Sequence, residues 1–444
     1  MRIEPEERSP KIRIKDFKEV NKGYRIEEAI KEANRCKECG LCIKGCPVEV
    51  DIPGFIRAIK EEKFKKAYKI INEENILPAI CGRVCPQENQ CEAECILEPP
   101  INIGKLERFV ADNYSVELNR IIKKNNKKVA VVGSGPAGLT ASNELIKNGF
   151  DVVIFEALHK FGGVLRYGIP NFRLPDEIIN REIDKLKKMG VKFKKNYLIG
   201  KTLYLEELQE KFDGIFISVG AGLPRQLNIK GENTIGVYFA NEFLTRVNLM
   251  KAYRFPEYHT PIKKGKRTLI VGGGNVAVDS ARVARRLGSK VSIVYRRLRE
   301  DMPARNEEIK HAIEEGIDIK TLLNPLEIIS NKNGKIKEIL FRKMKTVGKT
   351  EDGRNAIDST DEFIRIKTDI FIEAIGQRPN KMISNKENDL KFDRWGRIVV
   401  DNKMQTSLKK VWAAGDIVSG AATVIKAMGE AKKASASIIN KIGG

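Results

Sequence analysis

Nowhere in its 444 residues does the chain carry a run of about 18 apolar residues, the length a membrane-crossing helix needs. Nothing near its start resembles a signal peptide. The chain is therefore expected in a reducing cytoplasm, where disulfides are rare, and without a membrane role. Histidine is scarce, with three in all, and His159 reads as a residue near a nucleotide or at the surface rather than as a catalyst. Cysteine is absent beyond Cys95 although the chain has eight. Aromatic residues, 7% of the total, do not interleave with basic ones as RNA-binding motifs require. The formal net charge of +22, from 81 Lys and Arg against 59 Asp and Glu, is accordingly not read as a nucleic-acid footprint. Only Lys123-Lys124-Asn125-Asn126-Lys127-Lys128 forms a basic run, and the remainder is a solvated surface able to steer an acidic protein partner. At roughly 150 residues per domain this length suggests about three domains, and 41% hydrophobic residues suffice to give each a core.

What is present is concentrated chemistry. All eight cysteines lie between positions 36 and 95, and the first four read Cys36-Lys-Glu-Cys39-Gly-Leu-Cys42-Ile-Lys-Gly-Cys46-Pro47. A [4Fe–4S] cube needs thiolates converging on neighbouring irons, and Cys-x2-Cys-x2-Cys wraps three of them around one cube while the fourth cysteine of such a run reaches another. Cys46 thus implies a second cube, drawing its other ligands from the group Cys81, Cys85, Cys91 and Cys95. Zinc is the alternative, but its sites usually separate two Cys-x2-Cys pairs by about a dozen residues or more.

Residues 1–25 are charged and punctuated by proline, which suggests an extended arm. Residues 26–120 read as helical: Ile26-Glu27-Glu28-Ala29-Ile30 leads into the first cysteines, and Ile56 to Ile71 has apolar residues at helical spacing. After the Lys/Asn-rich bridge at 122–128, the strand Val129-Ala130-Val131-Val132 runs into Gly133-Ser134-Gly135-Pro136-Ala137-Gly138 and a helix. A second strand then ends in Glu156. This is a dinucleotide fingerprint in full context: Gly133 permits the tight turn, Gly135 lets the backbone approach a pyrophosphate, Gly138 lets helix and strand pack, and Glu156 accepts from a ribose diol.

The pattern recurs where Arg267–Val271 enters Gly272-Gly273-Gly274-Asn275-Val276-Ala277 and a later strand ends in Arg296-Arg297 instead of an acid. Guanidinium groups suit a 2′-phosphate, so this second site is expected to take NADP(H), with the first taking FAD. A solvated strand end is the plainer reading of Arg296 and Arg297. A late strand, Val411-Trp412-Ala413-Ala414, precedes Gly415-Asp416 and Gly420-Ala421-Ala422-Thr423. Asp416 is a candidate partner of the FAD ribityl chain, or a helix N-cap. The expected architecture is α/β: a helical iron–sulfur domain (1–122), then an FAD domain in two parts (127–235 and 377–444) with an NADP(H) domain (236–376) inserted. Ile375 and Gly376 lie at the return crossing.

With these motifs in view the chain resembles the small-subunit family of NADPH-dependent glutamate synthase, and within it the large subunits of electron-bifurcating NADH-dependent reduced ferredoxin:NADP oxidoreductases. The resemblance is carried by Gly82-Arg83-Val84-Cys85-Pro86-Gln87-Glu88, by Pro100-Ile-Asn-Ile-Gly104-Lys-Leu-Glu107-Arg108, by the stretch from Phe161 to Pro175, by Met302-Pro-Ala-Arg305 and by Ala413-Ala-Gly-Asp416. It implies FAD contacts at Gly133, Gly135, Pro136, Ala137, Gly138, Glu156, Gly163, Leu165, Arg173, Gly415, Asp416 and Thr423. It implies NADP(H) contacts at Gly272, Gly274, Asn275, Val276, Ala277, Arg296, Arg297, Ile375 and Gly376. One cube would take Cys36, Cys39, Cys42 and Cys95. The other would take Cys46, Cys85, Cys91 and Glu107, leaving Cys81 spare, whereas cysteine counting alone selects Cys81. Two residues between Cys39 and Cys42, where many relatives have four, put the local loop in question.

The reaction implied is hydride exchange between NADP(H) and FAD, with single electrons passing through two [4Fe–4S] clusters. No acid–base residue is expected, because the flavin carries the chemistry. Disulfide reductases share the two-fingerprint plan but need a cysteine pair beside the flavin, which a chain without cysteine beyond Cys95 lacks. The electrons would pass to a second subunit. Either a small flavin and [2Fe–2S] subunit handles NAD(H), with ferredoxin as a further partner, or the partner is the large subunit of glutamate synthase. The match around Glu107 favours the bifurcating reading narrowly, and sulfide dehydrogenase subunits share the template.

Overall fold

The computed structural model describes residues 1–115, 123–384 and 389–443. The end of the expected helical stretch (116–120), the boundary at 122 and the last residue, 444, lie outside the described residues.

The N-terminal unit is helical. Its helices span Ile26–Ala33, Ile52–Lys60, Phe64–Glu74, Pro78–Val84 and Ile103–Asn113. Asp51 caps the second by accepting from the Gly54 amide at 2.9 Å, and proline opens the fourth, where a missing N–H costs nothing. The fourth and fifth helices touch backbone to backbone: a Cβ at Gly82 would lie 2.7 Å from the Arg108 amide nitrogen and 2.8 Å from the Gly104 carbonyl oxygen. That contact brings the turn carrying Cys81 and Cys85 against the turn carrying Glu107.

Two parallel five-stranded sheets follow. The first runs in the order Val411–Ala413, Gly214–Ile217, Lys128–Val132, Asp151–Glu156, Lys192–Lys195. Its central strands are apolar throughout because helices cover both faces. The second runs Val237–Phe239, Ile370–Glu373, Arg267–Val271, Lys290–Val294, Asp318–Lys320. Its strands all fall, in sequence, between the fourth and last strands of the first sheet. An antiparallel sheet of Leu323–Ser330, Ile336–Lys349 and Asn355–Lys367 covers one face of the second unit through Val271, Val294, Phe341 and Phe371. Leu223–Pro224 pairs antiparallel with Gln377–Arg378 where the chain leaves and re-enters the first unit.

The expected extended arm is mostly irregular, with one short helix at Pro10–Arg13, but it is not free. Val20 is buried in the core of the second unit beside Phe172, and its amide donates to the Phe172 carbonyl at 3.0 Å. The Arg13 side chain is 1% exposed and pairs with Glu315 at 2.9 Å. Glu315 also accepts from Arg282 at 2.8 Å and from Arg286 at 2.6 Å. Arg282 pairs in turn with Glu308. Charged residues that read as solvated in the sequence are here paired and dry.

Burial alone would raise the Glu315 carboxyl, but Arg282 and Arg286 hold it well below the usual carboxylate range. Replacing Glu315 by Ala leaves buried Arg286 without an acid and takes one carboxylate each from Arg13 and Arg282, and is expected to destabilise the second unit by about 3–5 kcal/mol. In a thermal melt the variant should show an early transition, and a melting profile like the parent's would refute the assignment.

Candidate functional site

The thiols gather into two groups. Cys36, Cys39, Cys42 and Cys95 line one hollow, bounded by Pro53, Ile56 and Ile101. The Glu38 amide faces Cys36 Sγ at 3.4 Å, and the Ile101 amide faces Cys95 Sγ at 3.5 Å. Burial and then the thiols of Cys36 and Cys39 push the Cys42 thiol up to about 12. So many thiols together are stable as thiolates only when a bound cation or cluster offsets their repulsion.

Cys46, Cys85 and Cys91 form the second group around Glu107: burial raises the thiols of Cys46 and Cys91, the adjoining Cys81 and then burial raise that of Cys85, and the Glu107 carboxylate adds to all three. Asn75 Nδ2 donates to Glu107 Oε1 at 2.7 Å, and burial pushes the Glu107 carboxyl up to about 8. Cys81 lies alongside, 3.7 Å from both Asn75 Oδ1 and Met428 Sδ. All eight cysteines are free. A zinc tetrahedron with bonds of about 2.3 Å would set its sulfurs roughly 3.8 Å apart. Among the described residues no three thiols converge within 4.8 Å; the trio that does is Glu7, His311 and Glu314. Cysteine thiols with a buried carboxylate beside them are a donor set of the kind that holds an iron–sulfur cluster.

The first glycine loop joins Lys128–Val132 to the helix Pro136–Lys147. Gly133 has φ +102°, and a Cβ at Gly138 would lie 2.0 Å from the Gly133 carbonyl oxygen. A Cβ at Gly135 would meet nothing within 4 Å, so the backbone can be approached there, which suits a pyrophosphate. Glu156 accepts from the amide and the hydroxyl of Ser134, and the Ser134 hydroxyl accepts from the Gly162 amide at 2.9 Å. Gly163 stacks on Gly135, where a Cβ would come within 2.8 Å of the Gly135 Cα. From the other end of the chain, Gly415 presses on Ala137. Asp416 Oδ1 accepts from the Ala422 amide at 3.2 Å, and burial pushes its carboxyl up to about 6. Gly415, not Asp416, takes the N-cap position of the short helix there, while Thr423 caps the long helix Val424–Ile442. Tyr167 sits between Glu156 and Asp416, its phenol pushed up to about 12 by burial and by those two carboxylates.

Two of the expected FAD contacts are buried among protein groups. The Arg173 guanidinium is buried between Asp279 at 2.6 Å and Glu308 at 2.8 Å, on helices of the second unit. It bolts the two units together. The Leu165 side chain is fully buried in the core shared by the first two units.

The second loop, Gly272 to Gly274, precedes the helix Asn275–Arg286. Gly274 faces open space, Ala277 is buried, and Val276 is 39% exposed. Arg296 is exposed and Arg297 half-buried with its Nε unpartnered; neither meets an acid among the described residues. Ile375 packs against the antiparallel sheet, and the Gly376 carbonyl accepts from the Arg225 amide at 3.1 Å. Arg305, the last residue of the motif Met302-Pro-Ala-Arg305, has no role assigned by the sequence. Its amide donates to Asn275 Oδ1 at 3.0 Å, while its buried guanidinium donates to the Arg83 carbonyl at 2.7 Å and to Gln87 Oε1 at 3.2 Å. The second loop is thereby tied to the peptide flanking Cys85. Also unforeseen are Ser134, Tyr167 and Asn75, whose roles come from contacts between distant segments.

At the end of the strand Ile370–Glu373, Glu373 is buried with both carboxyl oxygens unpartnered. Burial, then Glu232, raises it to about 8. A carboxyl raised in the fold contributes stability that is intact below its unfolded pKa and lost as pH rises through about 8. Glu373→Gln should therefore melt like the parent at pH 5 and above it at pH 9; equal melting at both would show that Glu373 is not held protonated.

Comparison with known proteins gives two family matches. Residues 127–431 match the pyridine nucleotide-disulphide oxidoreductase family, and residues 13–118 match dihydropyrimidine dehydrogenase domain II, 4Fe-4S cluster. The glutamate synthase [NADPH] small chain of Escherichia coli is 34% identical over 459 residues, covering 99% of this chain and 97% of that one. The NADP(+)-dependent formate dehydrogenase subunit beta of Moorella thermoacetica is 34% identical over 433 residues, covering 89% and 59% respectively. Among solved structures, Mycobacterium tuberculosis FprA in complex with NADPH superposes with a TM-score of 0.61 at 21% identity, over 71% of this chain and 84% of that one. At that identity the likeness speaks to fold alone. Among the described residues no helix is long and apolar enough to cross a membrane.

Proposed function

Because the chain belongs to the family of NADPH-dependent glutamate synthase small chains, iron–sulfur flavoproteins with an oxidoreductase fold, we propose that it moves electrons between NADP(H) and a partner subunit through FAD and two [4Fe–4S] clusters. The observation that carries this reading is the presence of two thiol groups and two glycine turns in one chain. FAD, when bound, supplies the exchange between hydride and single electrons.

Each unit of the chain then has a task. The Gly133–Gly138 loop and Glu156 hold the dinucleotide of FAD, with Asp416 and the Gly415 turn closing over it from the C-terminal segment. Residues 127–235 and 377–444 form that domain. Gly272 to Ala277 receive the pyrophosphate of NADP(H) within residues 236–376, and Arg296 and Arg297 receive its 2′-phosphate. Cys36, Cys39, Cys42 and Cys95 hold one cluster. Cys46, Cys85, Cys91 and Glu107 hold the other, with Asn75 orienting the carboxylate and Cys81 left as a packing thiol against Met428. The reading needs no acid–base residue.

For the partner, the support favours a synthase-type large subunit over the bifurcating complex to which the match around Glu107 pointed, since a glutamate synthase small chain aligns along 99% of this chain. The formate dehydrogenase relative argues that the same electron-transfer body serves more than one partner.

Anaerobic purification with any bound partner should yield about eight irons and one FAD per chain, a visible spectrum that bleaches on NADPH, and a large co-purifying subunit. A small flavoprotein partner would restore the bifurcating reading. Zinc without flavin would overturn the whole assignment.

A further inference from the structure

The hairpin of Ile336–Lys349 and Asn355–Lys367 reaches well beyond the core it starts from. Residues Lys345–Lys349 are all exposed, as are Glu351–Arg354 at the turn, and Val347 is 55% exposed. A two-stranded ribbon is marginal in water by itself. This one is held at two points: one lies on the loop that follows the strand Lys290–Val294, and the other, at Leu322, is itself bonded to that loop.

Near the tip, the Asn355 amide donates to Asp301 Oδ1 at 2.8 Å, and Asn355 Nδ2 donates to Asp301 Oδ1 at 3.2 Å and Oδ2 at 3.0 Å. Nearer the base, the ladder shifts register between Arg342 and Met344. The Met344 amide donates to the Leu322 carbonyl at 2.8 Å, and the Leu322 amide to the Arg297 carbonyl at 3.3 Å. Within the loop, Asp301 Oδ2 also accepts from the Leu298 amide at 3.2 Å, and Tyr295 donates its hydroxyl to the Asp301 carbonyl at 3.0 Å. The two residues framed by these contacts are Arg296 and Arg297. Their guanidinium groups have no acidic partner among the described residues, and Arg297 Nε is buried and unpartnered.

We propose that the hairpin is a clamp, with Asp301 and Asn355 as positioning residues that hold the Arg296–Arg297 loop in the form that receives the adenosine 2′-phosphate. The proposal rests on the NADP(H) reading of the second cradle and deepens it. A guanidinium pair recognises phosphate by geometry as well as charge, so a loop free to wander loses the bidentate contact before it loses the attraction. Asp301 repels phosphate if it faces it; engaged by Asn355 and Leu298, it is turned into the scaffold instead.

The test is calorimetric titration of the full-length protein with 2′,5′-ADP and with 5′-AMP, alongside steady-state kinetics with NADPH. Asp301→Ala and Asn355→Ala should each weaken 2′,5′-ADP about tenfold and leave 5′-AMP unchanged. Asp301→Asn, which keeps one of the two acceptor oxygens, should weaken 2′,5′-ADP less than Asp301→Ala does. KM for NADPH should rise while kcat holds. Should Asp301→Ala fail to fold, Asn355→Ala carries the test, since it removes one amide from a surface ribbon. Unchanged 2′,5′-ADP binding, or equal weakening of both ligands, would overturn the clamp. Arg296→Ala and Arg297→Ala separate the two levels: if they weaken 2′,5′-ADP while Asp301→Ala does not, only the clamp falls. If they too are silent, the NADP(H) reading falls and takes the clamp with it.

Discussion

A single carboxylate shared by three guanidinium groups in a dry interior sets the geometry of this molecule. Glu315 accepts from Arg13, Arg282 and Arg286, and Arg282 passes the chain of charges on through Glu308 to Arg173. The arm, the first sheet's unit and the second sheet's unit each contribute a member. Charges removed from water are tolerated only when every one is paired, so displacing any unit exposes the others' unmet charges. The relative placement of the two glycine cradles is therefore fixed by a penalty on separation more than by a strong attraction. Two cation faces on Phe172, with Arg286 at 3.8 Å and Arg282 at 4.7 Å from the ring centre, add packing to the same joint.

The helical unit is bolted to that joint by a second set of contacts. Arg305 reaches the peptide beside Cys85, and the Asn306 amide donates to Glu88 at 2.9 Å, while Lys105 pairs with Glu307 at 2.5 Å. Electron transfer needs fixed separations more than it needs moving groups. A body tied this heavily serves that need, and it sets the chain apart from enzymes that rely on swinging domains.

Much of this was legible in the sequence because the signals were local. Cys-x2-Cys-x2-Cys, the two glycine loops and the apolar strands that feed them lie within short stretches, and their spacing alone fixes the turn and the helix start. The late strand at 411–413 was legible for the same reason. What could not be read depends on segments far apart in the chain. Arg173 sits in a motif that resembles flavin-binding relatives, yet its partners are Asp279 and Glu308, more than a hundred positions away. The arm read as solvated because a charged stretch carries no mark of the opposite charges waiting for it. The choice between Cys81 and Glu107 turns on Asn75 and Met428, which no cysteine pattern includes.

The first sheet closes only with its last strand, Val411–Ala413, which lies along Gly214–Ile217. Every residue of the inserted unit is synthesised between those two strands. On the ribosome, the second unit is complete while the first still presents Gly214–Ile217 as an open, apolar edge. Such an edge pairs readily with other chains, and closing it late is a contact of long sequence separation, which is slow. Vectorial synthesis thus lets the inserted sheet close before the first one and leaves the first sheet open to mispairing until Val411–Ala413 emerges.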